Sequence, residues 1–100
     1  MSKTHNSFSK SLLETIEAGI LIQFNYLKKR NIIVNGRKTS VTLEPLVWEI
    51  FHDIAESEQC HINDLCEFIA ERKHEKASMA SAIRIFVIGH LGAKSKNNIG

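Results

Sequence analysis

Gly36-Arg37-Lys38-Thr39-Ser40-Val41-Thr42-Leu43-Glu44-Pro45 decides how this chain folds. Strand side chains alternate between two faces. Thr39, Val41 and Leu43 therefore fall on one side, and Lys38, Ser40 and Thr42 on the other. Threonine and valine suit a pleated surface. The first face can join a core. The second carries a cation and two short hydroxyl side chains, with no large apolar group. Pro45 cannot continue a ladder, but its fixed φ suits the first turn of a helix. The expectation is a short strand that hands over directly to a helix starting near Leu46.

A single strand in a chain that otherwise reads helical needs a partner for its backbone N–H and C=O groups. The cheapest partner is the same strand of a second copy, paired antiparallel about a two-fold axis. Two copies of Lys38, Ser40 and Thr42 then point outward from a two-stranded ribbon, and such a ribbon fits the major groove of B-DNA.

Arg37 to Pro45, followed by Trp48, resembles the ribbon-helix-helix family of DNA-binding proteins. The likeness is to the variant with a Thr-Ser-Val-x-Leu-Glu-Pro-x-x-Trp signature. Members of that variant end in a stretch similar to Ser81-Ala82-Ile83-Arg84-Ile85-Phe86-Val87, and the likeness runs from about Arg30 to about Leu91. The resemblance implies an intermolecular antiparallel ribbon whose outward residues Lys38, Ser40 and Thr42 contact bases. It also implies a DNA-backbone anchor at the start of the second helix, where the family commonly has a small hydroxyl cap. This chain departs from that pattern, with His61 at the cap and Asn63 following.

The fold class expected is mainly α with one short β-strand: a ribbon-helix-helix unit with an N-terminal helical extension and a C-terminal third helix. The boundaries expected are residues 1–29 for the extension, 30–92 for the DNA-binding domain and 93–100 for a polar tail. Residues 1–8 are polar and expected to fray. From Ser9 to about Lys29, Leu12, Leu13, Ile16, Ile20, Phe24 and Leu27 recur at helical spacing. Ile22, Phe24 and Tyr26 also alternate as a strand would. The segment is either an extension packed on the dimer or a helix that grips a protein partner. Residues 31–34 are β-prone up to Asn35-Gly36, a strong hairpin signal. They either fold back on residues 37–40 and widen the ribbon or form an arm along the DNA backbone.

Helix spacing predicts three further helices. The first runs from about Leu46 to Ser57 with Val47, Trp48, Phe51, Ile54 and Ala55 inward. The second runs from about Ile62 to Lys73 with Ile62, Leu65, Cys66 and Ile69 inward. The third runs from Met79 to about Leu91 behind a Ser78 N-cap. Ile85 and Ile88 make that last helix apolar on most sides, which suits a sandwiched position at a subunit interface. Arg84 is expected to pair with Glu44 or Glu49.

The net charge of +2 conceals an asymmetry. Lys28, Lys29, Arg30, Arg37 and Lys38 cluster in residues 28–38 without an acid, while residues 39–75 carry nine acids against Arg72 and Lys73. Cations beside the strand, with acids elsewhere, are what a polyanion binder needs. Lys28, Lys29, Arg30, Arg37, His61 and Asn63 are the expected phosphate-contacting residues, with a solvated surface as the bland alternative. Cys60 and Cys66 do not suggest a disulfide framework, so a reduced cytoplasmic setting is expected. Gly19 to Leu27 is too short to span a bilayer and lacks signal-peptide features.

No Cys-x-x-Cys or His-x-x-x-His pair accompanies Cys60, His61, Cys66, His52 and His74, so no metal site is expected. No cofactor is expected, and no catalytic trio or Gly-rich phosphate loop points to an enzyme. The expected function is sequence-specific duplex DNA binding by a homodimer, as a transcriptional repressor of bacterial, phage or plasmid type. The alternative is an antitoxin-like interaction module that uses the fold only to dimerise.

Overall fold

The computed structural model describes residues 9–17 and 26–99, with side chains for 9–14 and 26–94. Among the described residues, six elements follow one another: α1 (Lys10–Glu17), β1 (Lys28–Val34), β2 (Arg37–Leu43), α2 (Pro45–Ser57), α3 (Ile62–Arg72) and α4 (Met79–Ile99). The expectations for residues 1–8 and for a helix through Ile20 and Phe24 fall outside the described residues.

Two strands are present where one was expected. β1 and β2 pair antiparallel within the chain, from Lys28 opposite Leu43 to Val34 opposite Arg37. Asn35 and Gly36 make the turn at φ 52° and 76°. Both positive values suit a two-residue primed turn, whose twist matches its flanking strands. Of the two expectations for residues 31–34, the hairpin is the one observed. The expected helix ending near Lys29 is corrected at that end, because Lys28 and Lys29 belong to β1. Three successive cations read like the basic last turn of a helix, but the hairpin register carries them into an edge strand, where charge is tolerated.

The inner face of the sheet and three helices enclose one core. Ile32, Val41 and Leu43 meet Trp48, Phe51, Ile54, Leu65, Cys66, Ile69, Ile83 and Val87, all buried. Pro45 opens α2 in its first turn, as its ring requires. Gln59 closes α2 at φ 58°. Gln59 N–H donates to the Glu56 carbonyl and Cys60 N–H to the Ala55 carbonyl, so two otherwise unpaired carbonyls are satisfied. Ser78 Oγ accepts from Ser81 N–H at 3.1 Å and caps α4. That helix continues past Leu91 to Ile99, so the expected polar tail begins as helix.

Arg84 on α4 grips Glu44 at the end of β2, with Nε 3.0 Å from Oε1 and Nη2 3.3 Å from Oε2. These hydrogen bonds hold the Glu44 carboxyl below its ordinary value. The pair ties the strand–helix junction to α4. Burial pushes the Cys66 thiol up to about 12, with the nearby Glu67 charge adding to the effect. Cys66 is therefore a packing residue with little thiolate at neutral pH.

Candidate nucleic-acid interface

The turn fixes what the outer face of the hairpin displays. Residues directly opposite in an antiparallel pair share a face. Thr42 lies opposite Lys29, Ser40 opposite Asn31 and Lys38 opposite Ile33. These six form the face turned away from the core: five are exposed and Thr42 is half-buried. It bears two cations, one amide and two hydroxyls, with no acid. Such groups can donate to guanine acceptors, pair with adenine or bond to any base edge.

The sheet's two edges differ. With a two-residue turn, alternate pairs exchange hydrogen bonds, beginning with Val34 and Arg37. The N–H groups of Ile33 and Asn35 then point outward from β1, and α3 satisfies them. Asn63 Oδ1 accepts from Ile33 N–H at 3.0 Å. Glu67 Oε2 accepts from Asn35 N–H. By the same alternation, the backbone groups of Lys38, Ser40 and Thr42 point outward from β2. No strand pairs with that edge among the described residues. The β1 edge is clamped by α3 at its turn end, and the β2 edge lies open, beside the strand that carries Lys38, Ser40 and Thr42.

The other expected phosphate-contacting residues divide by position. Lys29 joins the outer face, but Lys28, Arg30 and Arg37 belong to the inward-facing alternation at its exposed margins. The Arg30 guanidinium lies 5.8 Å from the Trp48 ring centroid. Trp48 Nε1 donates to the Lys28 carbonyl at 2.8 Å and pins the start of β1. At the start of α3, His61 Nδ1 accepts from Asn63 N–H at 3.0 Å, and Asp64 Oδ2 accepts from His61 N–H at 3.0 Å. This capping box occupies donors that a phosphate would otherwise find there. Asn63 is already committed to Ile33. His61 keeps its outer ring edge toward solvent, since the residue is exposed.

Sequence reasoning left out Asn31 and Ile33, which share the face with Lys38 and Ser40. The signal that finds them is Asn35-Gly36: a two-residue turn fixes the register, and stepping back in twos from Ile33 gives Asn31 and Lys29. Sequence patterning also missed the clamp formed by Asn63 and Glu67, because it joins residues about thirty positions apart.

Among the described residues, no group of three or more His, Cys, Asp or Glu is placed to hold a metal ion. No described helix is long and apolar enough to cross a membrane.

A family model described as "Ribbon-helix-helix domain" matches residues 27–91. In a search of solved structures, the chain is similar to an uncharacterized protein from Bordetella pertussis Tohama I. The two share 21% identity over 81% of this chain and 71% of that one, with a TM-score of 0.64, a likeness of fold. No curated protein matches.

Proposed function

The chain belongs to the ribbon-helix-helix family, a fold typically used for DNA binding, and from that premise we propose that it is a homodimeric, sequence-specific transcriptional regulator acting as a repressor. The observation that carries this proposal is the hairpin. Its outer face holds Lys29, Asn31, Lys38, Ser40 and Thr42 without an acid, and the β2 edge beside it is open.

Two copies joined through their β2 edges form a sheet in the order β1, β2, β2 of the partner, β1 of the partner. At ~4.8 Å between neighbouring strands, its outermost strands lie about 14 Å apart. A major groove about 12 Å wide admits a two-stranded ribbon. The two central strands therefore reach the groove floor, where Lys38, Ser40 and Thr42 read bases. The flanking β1 strands ride over the groove walls, which places Lys29 and Asn31 against phosphates. Lys28, Arg30 and Arg37 at the margins add attraction, and His61 meets the backbone with its exposed edge. Phosphate contacts position the protein while base contacts specify sequence.

This activity belongs in a bacterial cytoplasm, where Cys60 and Cys66 stay reduced. The alternative, an antitoxin-like module, draws support from Leu12 and Leu13 on α1, which are 40% and 48% exposed. That exposed apolar pair suits a protein partner. Titrating the protein with labelled duplex DNA at several salt concentrations separates the two functions. A DNA-binding dimer gives binding that weakens steeply as salt rises. A module that only dimerises gives none.

A further inference from the structure

We infer that α4 forms the second half of the dimer seam, packing the face formed by Ile85, Ile88, Gly89 and Gly92 against a second copy of this chain. This inference rests on the homodimer proposed above and extends it beyond the ribbon.

Among the described residues, nothing covers the outer face of α4. Ile83 and Val87 turn inward and are 0% and 3% exposed, whereas Ile85 and Ile88 are 67% and 65% exposed. At about 100° per residue, Ser81, Ile85, Ile88, Gly89 and Gly92 share the side opposite Ile83. No charged residue occurs from Ile85 to Ala93. A helix that is apolar all round is a buried helix. An exposed stripe of this composition calls for a covering surface.

The glycines point the same way. Glycine inside a helix is less favourable than alanine by about 1 kcal/mol. No described residue requires it here, since a Cβ added at Gly89 or Gly92 would meet no atom of theirs within 4 Å. Close approach by another helix gives both glycines a purpose. Beside the stripe, an open cleft of about 330 Å³ between α3 and α4 is lined by Phe68, Ala82, Ile85 and Phe86 among others. Side chains from an opposing helix can enter it.

Position in the fold selects a second copy as the occupant. Within the chain β1 packs on α3 and β2 packs on α4, so α4 lies on the side of the sheet whose edge is open. A two-fold partner that pairs with β2 is brought over α4 by the same rotation. An isologous interface must complement itself, and an uncharged stripe of isoleucine and glycine does so. A standard interface buries roughly 800 Å² per partner, and the helix stripe adds area to that of the strand junction.

The test is sedimentation equilibrium of the full chain without DNA, comparing the wild type with a variant carrying Ile85→Glu and Ile88→Glu. Both side chains are exposed, so the chain should keep its helical circular dichroism. The variant's dimer dissociation constant should rise by about a hundredfold or more, because two carboxylates per chain would be buried in the seam. The control carrying Ile85→Val and Ile88→Val should stay dimeric. A dimer unchanged in the glutamate variant overturns the inference but leaves the ribbon dimer intact. It would assign the stripe to the chain's own residues or to a different partner. A wild type that is monomeric throughout the micromolar range overturns both the inference and the proposed homodimer. If the glutamate variant unfolds, Gly89→Leu and Gly92→Leu tested singly replace it. Unchanged dimerisation in both then counts against the seam, and weakening in either supports it.

Discussion

Trp48→Phe tests whether β1 is held as the structure shows. Trp48 is 2% exposed, donates from Nε1 to the Lys28 carbonyl at 2.8 Å and lies beneath Arg30. Phenylalanine keeps an aromatic ring but loses the donor and part of the buried surface. The lost hydrogen bond is worth ~1 kcal/mol. The missing ring atoms, with the small void they leave, cost about 1 kcal/mol more. The total is about 2 kcal/mol, and a weaker Arg30 contact adds a few tenths. Urea unfolding followed by far-ultraviolet circular dichroism reads the change, since the variant has no tryptophan to report by fluorescence. Protein concentration must be matched, because dimerisation is linked to stability. The midpoint should fall by roughly 1 M for a chain of this size. Fraying at Lys28 to Arg30 should also weaken DNA binding at low salt, because Lys29 loses its fixed place. A loss of stability below about 0.5 kcal/mol would refute the docking of β1 on α2.

Thr42→Ala should relax sequence preference at symmetric positions of the bound site, by ~1–3 kcal/mol against the cognate sequence, in titrations on specific and scrambled duplexes. Lys29→Ala should weaken binding to all sequences alike and flatten the slope of log K against log salt by about one unit. Arg84→Met should destabilise the fold at neutral pH by about 1 kcal/mol, since the pair is partly exposed. Glu44 has a depressed pKa, so its contribution is present above its ordinary value of 4.5 and is lost as pH falls through the folded value. Denaturation curves of the wild type and Arg84→Met should therefore converge below that range, and a constant gap down to pH 2 would count against the pairing. Asn63→Ala should increase amide hydrogen exchange at Ile33 more than at Ile32, because only Ile33 N–H depends on that side chain. Equal protection at both amides in the variant would contradict the clamp.

Much of this fold follows from local pattern. Thr39, Val41 and Leu43 alternate with Lys38, Ser40 and Thr42, Pro45 opens a helix, and the inward stripes of α2 and α3 recur at helical spacing. Each is decided within a few residues. β1 was harder to identify, because Lys28-Lys29-Arg30 follows a helix-like apolar spacing and ends it with cations. Its strand state depends on contacts distant in sequence: the Trp48 donor at one end, the Asn63 and Glu67 acceptors at the other. The same distance hid the division of the basic cluster. Consecutive cations in a strand face opposite ways, so Lys29 parts from Lys28 and Arg30 once the segment is extended. At the start of α3, residue types alone do not show that His61 Nδ1 accepts from Asn63 N–H, that Asp64 accepts from His61 N–H, and that the Asn63 side chain serves the sheet. Residue types give Arg84 an acid partner such as Glu44 or Glu49, and only the three-dimensional packing selects Glu44.

Selection of bound sites from random duplex DNA, by the wild type and by a variant carrying Ser40→Ala and Thr42→Ala, tests most directly whether the outer face of β2 reads sequence. The wild type should enrich a two-fold symmetric site. The variant should still bind DNA with a similar salt dependence but lose enrichment at matched positions in both half-sites. No enrichment by the folded wild type, or the same site recovered by both proteins, would contradict the proposed reader.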